Sequence, residues 1–296
     1  MLVKYWERYC NHVLLFCQYI LTSNGDILLN KRVQSLATTR QRTIYETGQC
    51  MKLDNAKKLH QKKYREQFGH YLVEGEHLIL ELDKAALSQP YLKETILYVT
   101  EEYQTWAQQL NHSYTITAIN KKQMAGLSDT KTPQGIIACV PLPTQAEKTP
   151  LQNGERCIYL HEVQDPGNLG TILRSLAWFG QFRLLLSNNS VDPYNPKVVR
   201  SSMGAIFHLP IEQGVELSEL NQRFDRFAYL DMQGEKVNTP QFSNYDCYLF
   251  GNEARGVPKQ SLADCNAQPF TITGSGKIDS LNLASAVNIC AYQLSI

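Results

Sequence analysis

The stretch from Cys157 to Gly180, CIYLHEVQDPGNLGTILRSLAWFG, decides the fold. Its opening run, Cys157 to Val163, begins with four apolar residues without alternation, Cys157 to Leu160, and reads as a strand buried on both faces. After a polar turn the period changes. Leu169, Ile172, Leu173 and Leu176 recur at helical spacing, and Gly180 closes the helix. A second apolar run, Phe182 to Leu186, follows at once. Strand, amphipathic helix and strand make a βαβ unit, and such units build a mostly parallel sheet covered by helices on both faces. Runs at Phe207 to Ile211, Phe227 to Leu230 and Tyr248 to Phe250 extend the pattern, so residues 155–296 are expected to form one α/β domain.

The helix in this stretch also sorts its side chains. With the leucines on the core face, Thr171, Arg174, Ser175 and Trp178 share the opposite one. A cation two turns from a helix N-terminus is mildly disfavoured by the dipole, and an anionic partner would remove the penalty. An exposed structural arginine accounts for Arg174 equally well. Asn168 reads as the cap of this helix, or as a residue that orders the preceding loop, capping being preferred. The glycines spell no dinucleotide site. GxGxxG and a GK[ST] phosphate loop are both absent, and the next strand ends Leu186-Ser187-Asn188-Asn189 without a carboxylate for a ribose diol.

Two further stretches carry chemistry. Leu249 to Pro258, LFGNEARGVP, places Gly251 and Gly256 on either side of Glu253 just past a strand. Open α/β sheets bind ligands at the carboxyl ends of their strands, and glycine lets backbones approach closely there. Gly274 to Leu294, GSGKIDSLNLASAVNICAYQL, is a flexible loop running into an apolar helix with Leu283, Val287, Cys290 and Leu294 on one face. Asp279 or Ser280 is expected to cap it, and its uncommitted N–H groups suit a polar or anionic group.

Composition sets the bounds. A chain of 296 residues with 43% hydrophobic and 19% charged residues reads as soluble, globular and long enough for two domains. A net charge of +1 means that a nucleic-acid partner needs a local basic patch. The eight cysteines are scattered, several within apolar runs, as reduced thiols of a cytoplasmic protein are; without CxxC spacing, no zinc site is expected. The run Val13 to Leu21 is too short to span a bilayer. Residues 1–50 are read as a loosely attached extension or an artefact upstream of a true start at Met51. From Met51 a basic segment with Lys57, Lys58, Lys62, Lys63 and Arg65 leads into a compact α/β domain, 51–143, with strands expected at Thr95 to Val99 and Gly135 to Val140. A linker, 144–154, joins it to the 155–296 domain.

Taken in order, Asn168-x-Gly170-x-x-x-Arg174-Ser175, Gly251-x-Glu253-x-x-Gly256-Val257 and Ser280-Leu281-Asn282-Leu283 resemble the three motifs of the SpoU/TrmH family of RNA 2'-O-ribose methyltransferases. Upstream, Lys62 to Arg65, Glu74-Gly75-Glu76 and the stretches Leu127 to Thr130 and Pro133 to Gly135 resemble the L30e-like substrate-binding domain that many members carry. The resemblance implies a SPOUT fold with a C-terminal trefoil knot, S-adenosylmethionine as cofactor, RNA as partner and a homodimer with the active site near its interface. Carried onto this chain, Gly251, Ile272 and Leu281 would hold the cofactor, largely through backbone groups. Arg174 would bind the phosphate beside the target ribose, Asn168 and Glu253 would shape the site, and Asn282 would fix the third motif against it. The departures are Thr273, where the family usually has proline, and Ala284, where it often has serine. Ribosomal RNA of the large subunit is the expected substrate on the strength of the separate N-terminal domain; tRNA, or RNA binding without catalysis, is the alternative.

Overall fold

A computed structural model describes residues 51–143, 150–278 and 280–296. The expected extension, residues 144–149 of the linker and the candidate cap Asp279 lie outside them.

The first domain is built on a four-stranded sheet in the order β1-β4-β2-β3. Here β1 is His70–Glu74, β2 Ile96–Val99, β3 Thr115–Ala118 and β4 Ile136–Pro141. Strand β4 runs antiparallel to both neighbours, whereas β2 and β3 are parallel. Five helices accompany it: α1 (Leu53–Ala56), α2 (Lys62–Phe68), α3 (Glu76–Ala85), α4 (Glu101–Gln108) and α5 (Lys121–Leu127). Strand β3 gave no signal in the sequence because it is a half-exposed edge strand with no apolar run. The basic segment is not one continuous helix. A 3-10 turn, Lys57–His60, ends at the extended residue Gln61, and α2 starts afresh at Lys62. That break turns Arg65 inward, to 3% exposure, while Lys62 and Lys63 stay outside.

One buried acid organises the far end of this domain. Asp83 of α3 accepts bonds from the backbone N and side-chain Nδ2 of Asn111 (3.0 and 2.7 Å), from Tyr114 Oη (3.0 Å), and pairs with His112 Nδ1 (2.9 Å). Burial pushes its pKa up, but the bonds from His112, Asn111 and Tyr114 outweigh that and hold it below the usual carboxylate value.

The second domain is a six-stranded, wholly parallel sheet in the order β10-β8-β9-β5-β6-β7. Its strands are β5 (Arg156–Leu160), β6 (Phe182–Leu186), β7 (Ile211–Gln213), β8 (Phe227–Lys236), β9 (Cys247–Phe250) and β10 (Ala267–Thr271). Helices α6 (Pro166–Phe179), α7 (Pro196–Ser202), α8 (Leu217–Arg223), α9 (Lys259–Leu262) and α10 (Leu283–Ser295) complete it. Alternation along the central strands feeds two cores. Ile158, Leu160, Leu184, Leu186, Tyr248 and Phe250 pack beneath α6 and α10, while Cys157, Tyr159, Leu185, Cys247 and Leu249 pack on the other face with Leu220 of α8 and Leu262 of α9. The expectation of a mostly parallel sheet with helices on both faces, beside a smaller α/β domain, therefore holds.

Two strand assignments differ from the sequence expectation. The run Phe207 to Ile211 is not a strand: Ala205–Phe207 is a 3-10 turn and β7 begins at Ile211. Ile206 and Phe207 are drawn into the core of the first domain, together with Tyr194 and Val199, and cannot also serve the sheet. Strand β10 went unread because Pro269 interrupts it, which an edge position tolerates. Among the described residues no helix is long and apolar enough to cross a membrane.

Candidate active site

Three loops meet over the carboxyl ends of β5, β9 and β10. The first runs from β5 into α6 and is closed by Asp165, whose Oδ1 accepts the backbone N–H of Asn168 at 2.7 Å, with Pro166 as the first helical residue. Asp165, not Asn168, is the cap. The Asp-Pro pair is the ordinary signature of a helix start. Asn168 is thereby freed for another task.

The second loop follows β9. Gly251 has no space for a side chain, since a Cβ there would lie 2.2 Å from Gly256 C and 2.4 Å from Val257 N. Asn252 and Gly256 exchange backbone bonds of 3.0 and 2.9 Å, with Gly256 at φ +68°. This tight loop lifts Glu253 toward the first one. Its carboxylate accepts the backbone N–H groups of Gln164 (3.2 Å) and Asp165 (3.1 Å), and Asn168 Nδ2 at 3.3 Å. Behind it, Asn252 Nδ2 donates to Glu162 O at 2.7 Å, and Arg255 pairs with the Glu162 carboxylate.

The third loop, after β10, ends at Asn282. Its Oδ1 caps α10 through Ser285 N (3.2 Å), and its Nδ2 donates to Asn168 Oδ1 at 2.9 Å. The cap is thus Asn282 rather than Ser280 or Asp279. One chain of bonds, Glu253 to Asn168 to Asn282, joins residues that lie 85 and 114 positions apart. The carboxylate accepts, the first carboxamide both donates and accepts, and the second donates, so both carboxamides have one orientation.

Arg174 stands apart. It lies six positions beyond Asn168, about 9 Å along the axis, is exposed, and makes no hydrogen bond or ion pair among the described residues. Trp178 is one turn further on the same face and 85% exposed. On another side of α6, Gly170 admits α7 so closely that a Cβ would lie 1.9 Å from Ser201 Oγ, which itself donates to Pro166 O at 3.3 Å. Ile272 is half-buried against the core, whereas Leu281 is 46% and Ile278 69% exposed. Among the described residues from Ile272 to Leu281, no backbone N–H donates a hydrogen bond.

Sequence reasoning passed over Asp165, Gln164, Asn252 and the Glu162–Arg255 pair. Of these only Asp165 had a readable signal. Glu162 takes φ +52°, a conformation that nothing in its residue type announces. Next to it His161 is half-buried, its Nδ1 without a partner among the described residues, and burial lowers its pKa, so the imidazole is neutral at pH 7.

A parallel sheet with a carboxylate–carboxamide cluster over its carboxyl edge, beside a second α/β domain, defines an open α/β protein with a polar site at its strand ends. Residues 155–292 match the model of the SpoU rRNA Methylase family, and residues 51–138 match the model of an MRM3-like substrate binding domain. It is 29% identical to the 23S rRNA (guanosine(2553)-2'-O)-methyltransferase RlmP of Bacillus subtilis over 84% of this chain and 98% of that one. The human mitochondrial rRNA methyltransferase 3 is 34% identical over 52% of this chain and 37% of its own length. Among solved structures, a putative RNA methyltransferase of the TrmH family from Porphyromonas gingivalis superposes with a TM-score of 0.69 at 26% identity, covering 82% of this chain and 96% of that one. The SpoU methyltransferase AviRb from Streptomyces viridochromogenes, in complex with AdoMet, shares the fold with a TM-score of 0.71 at 22% identity, covering 83% and 97%.

Proposed function

We propose that this protein transfers a methyl group from S-adenosylmethionine to a ribose 2'-hydroxyl of RNA, with 23S ribosomal RNA as substrate. The observation that carries the reading is the hydrogen-bonded chain Glu253–Asn168–Asn282, which brings the three motif loops of a SpoU protein to one place. Kinship with an enzyme named for 2'-O-methylation of 23S rRNA supplies the substrate class.

The residues present fit the cofactor. Among its described residues, the 272–281 segment offers uncommitted backbone donors beside exposed apolar side chains, which suits a ligand with an adenine ring and a polar amino-acid end. Gly251, Ile272 and Leu281 would hold it. Once bound, S-adenosylmethionine supplies an electrophilic methyl group on a positively charged sulfur.

The chain's own residues position the acceptor. Arg174, with its planar fork of N–H donors, binds the phosphate next to the target ribose and orients the 2'-hydroxyl, whose proton leaves to a phosphate oxygen or water. Asn168, Glu253 and Asn282 fix the loops on which that geometry depends. The protein acts as a homodimer in this reading. Trp178 (85% exposed) on α6, Ile289 (41%) and Tyr292 (56%) on α10, and Ile296 (81%) just past its end form an apolar face, with the Tyr292 ring 5.9 Å from Phe179. Replacing Trp178 by glutamate should therefore shift the protein from dimer to monomer in analytical ultracentrifugation; an unchanged sedimentation coefficient would remove this face from the interface. A trefoil knot at the C-terminus fits the path from the edge strand β10 back to α10 packed on α6. The buried thiols of Cys157, Cys247 and Cys290, none of them in a disulfide, suit the reducing cytoplasm.

The test is transfer of labelled methyl to RNA from a strain lacking the protein, followed by separation of RNA species and alkaline hydrolysis. Label in an alkali-resistant dinucleotide of 23S rRNA is expected. Label in tRNA would reassign the substrate, and equal methylation of DNA of the same sequence would refute the 2'-hydroxyl acceptor.

A further inference from the structure

Arg65 is the one member of the N-terminal basic segment that the fold takes out of water. At 3% exposure, its Nε and Nη2 both donate to Asp192 Oδ2 (2.9 and 2.5 Å) and its Nη1 to Leu59 O (2.6 Å). Asp192 belongs to the other domain and is itself 10% exposed. Burying two charges is costly in itself, and packed apolar side chains hold interfaces at least as well, so stability alone is a poor reason for the pair. What an ion pair adds over apolar packing is a defined register.

The two ends of this pair are informative. Arg65 sits on α2, whose outer side shows Lys62, Lys63 and Tyr64, with the Lys58 and Lys63 ammonium groups 5.8 and 5.7 Å from the Tyr64 ring centre. Exposed cations around an aromatic ring are the means by which proteins hold nucleic-acid backbones and unstacked bases. Asp192 lies in the loop after β6. Its Oδ1 accepts Tyr194 N (2.9 Å), and that loop is fastened to the loop of the active site by three bonds: Val191 N to Val163 O (2.8 Å), Gln164 Nε2 to Asn189 O (2.7 Å) and Glu162 N to Ser187 Oγ (2.6 Å). Gln164 in turn donates its backbone N–H to Glu253. An unbroken chain of bonded groups thus runs from the basic helix to the carboxylate of the site.

We propose that Arg65 and Asp192 are positioning residues for RNA: their buried pair fixes the angle between the RNA-holding helix α2 and the active-site loop, and so fixes where the target ribose lands. This rests on the methyl-transfer reading, and it concerns the acceptor only. Among the described residues, the cofactor segment 272–282 is bonded to this series of groups only through Asn282 and Asn168.

Asp192→Asn tests it, since the amide keeps the Oδ1 acceptor for Tyr194 while its Nδ2, in place of the Oδ2 that accepts both Arg65 bonds, meets the guanidinium donor against donor. Expected are a 10- to 100-fold fall in kcat/KM for folded 23S rRNA, S-adenosylmethionine affinity within twofold of wild type, and faster hydrogen exchange in residues 161–165 and 187–195. Arg65→Lys, which keeps the charge but loses the fork, should fall between Asp192→Asn and wild type. Wild-type kcat/KM in both variants would overturn the proposal, and so would a parallel loss of cofactor affinity, which would indicate general loosening. Hydrogen exchange reads the coupling without any turnover. If the wild-type protein methylates no RNA but exchange still spreads from 187–195 to 161–165, the functional reading has failed while the coupling stands; exchange confined to the Asp192 loop sinks the coupling.

Discussion

Arg174→Ala is expected to lower kcat on the order of 10²- to 10³-fold, the range seen when one preorganised donor to a reacting centre is removed, with cofactor affinity within about twofold of wild type. The asymmetry follows from where the residue stands. Helix α6 is anchored by Leu169, Ile172, Leu173 and Leu176, all fully buried, and Arg174 projects from the opposite side without a partner among the described residues. Alanine is a better helix former than arginine and removes no packing there, so stability should change by less than about 0.5 kcal/mol. The segment proposed to hold the cofactor lies on a different loop, after β10. Single-turnover methylation and calorimetric titration with S-adenosylmethionine separate the two effects. Arg174→Lys should recover only a small part of the rate, because an ammonium lacks the planar fork that holds a phosphate in two places. Equal losses of rate and cofactor affinity would assign the arginine to cofactor binding.

How far the sequence led depended on whether the governing interaction was local. The sheet of the second domain was legible because β5, β6 and β9 are central and buried on both faces, so their apolar runs are continuous. Edge strands β3 and β10 left little trace, since half of each strand faces water or carries a proline. Phe207 misled because an apolar residue bound for another domain's core looks the same as the start of a strand. In the site, the glycine loop around Glu253 and the polar start of α10 could be read as sites. What could not be read was who binds whom. Asn168 as a cap was the reasonable local choice, and it failed because Asp165, three positions earlier, performs that task and leaves the carboxamide to Glu253 and Asn282. Arg65 shows the same limit: within a basic run it resembles its neighbours, and only a partner 127 positions away sets it apart.

Glu253→Ala is expected to give the second large loss, on the order of 10²-fold in kcat, and, unlike Arg174→Ala, to weaken cofactor binding as well. Glu253 holds its surroundings from both sides. Toward α6 it gathers the N–H groups of Gln164 and Asp165 and the carboxamide of Asn168; toward β9 it is carried by the same tight turn as Gly251, one of the residues proposed to face the cofactor. These bonds are exposed, so water replaces the lost acceptor and the folded state should be weakened by no more than about 1 kcal/mol. What water cannot replace is position: a displacement on the order of 1 Å in a catalytic loop is enough to cost about a hundredfold in rate. Glu253→Gln separates charge from geometry. Its single carbonyl oxygen can still take Asp165 N and Asn168 Nδ2, but its amide then meets the N–H of Gln164, donor against donor. The glutamine variant should therefore lie between alanine and wild type in kcat and keep most of the cofactor affinity. Thermal melting within about 3 °C of wild type in both variants would show that the rate losses are not unfolding. Wild-type kcat in Glu253→Ala would mean that the bonded chain from Glu253 through Asn168 to Asn282 organises the fold and not the reaction.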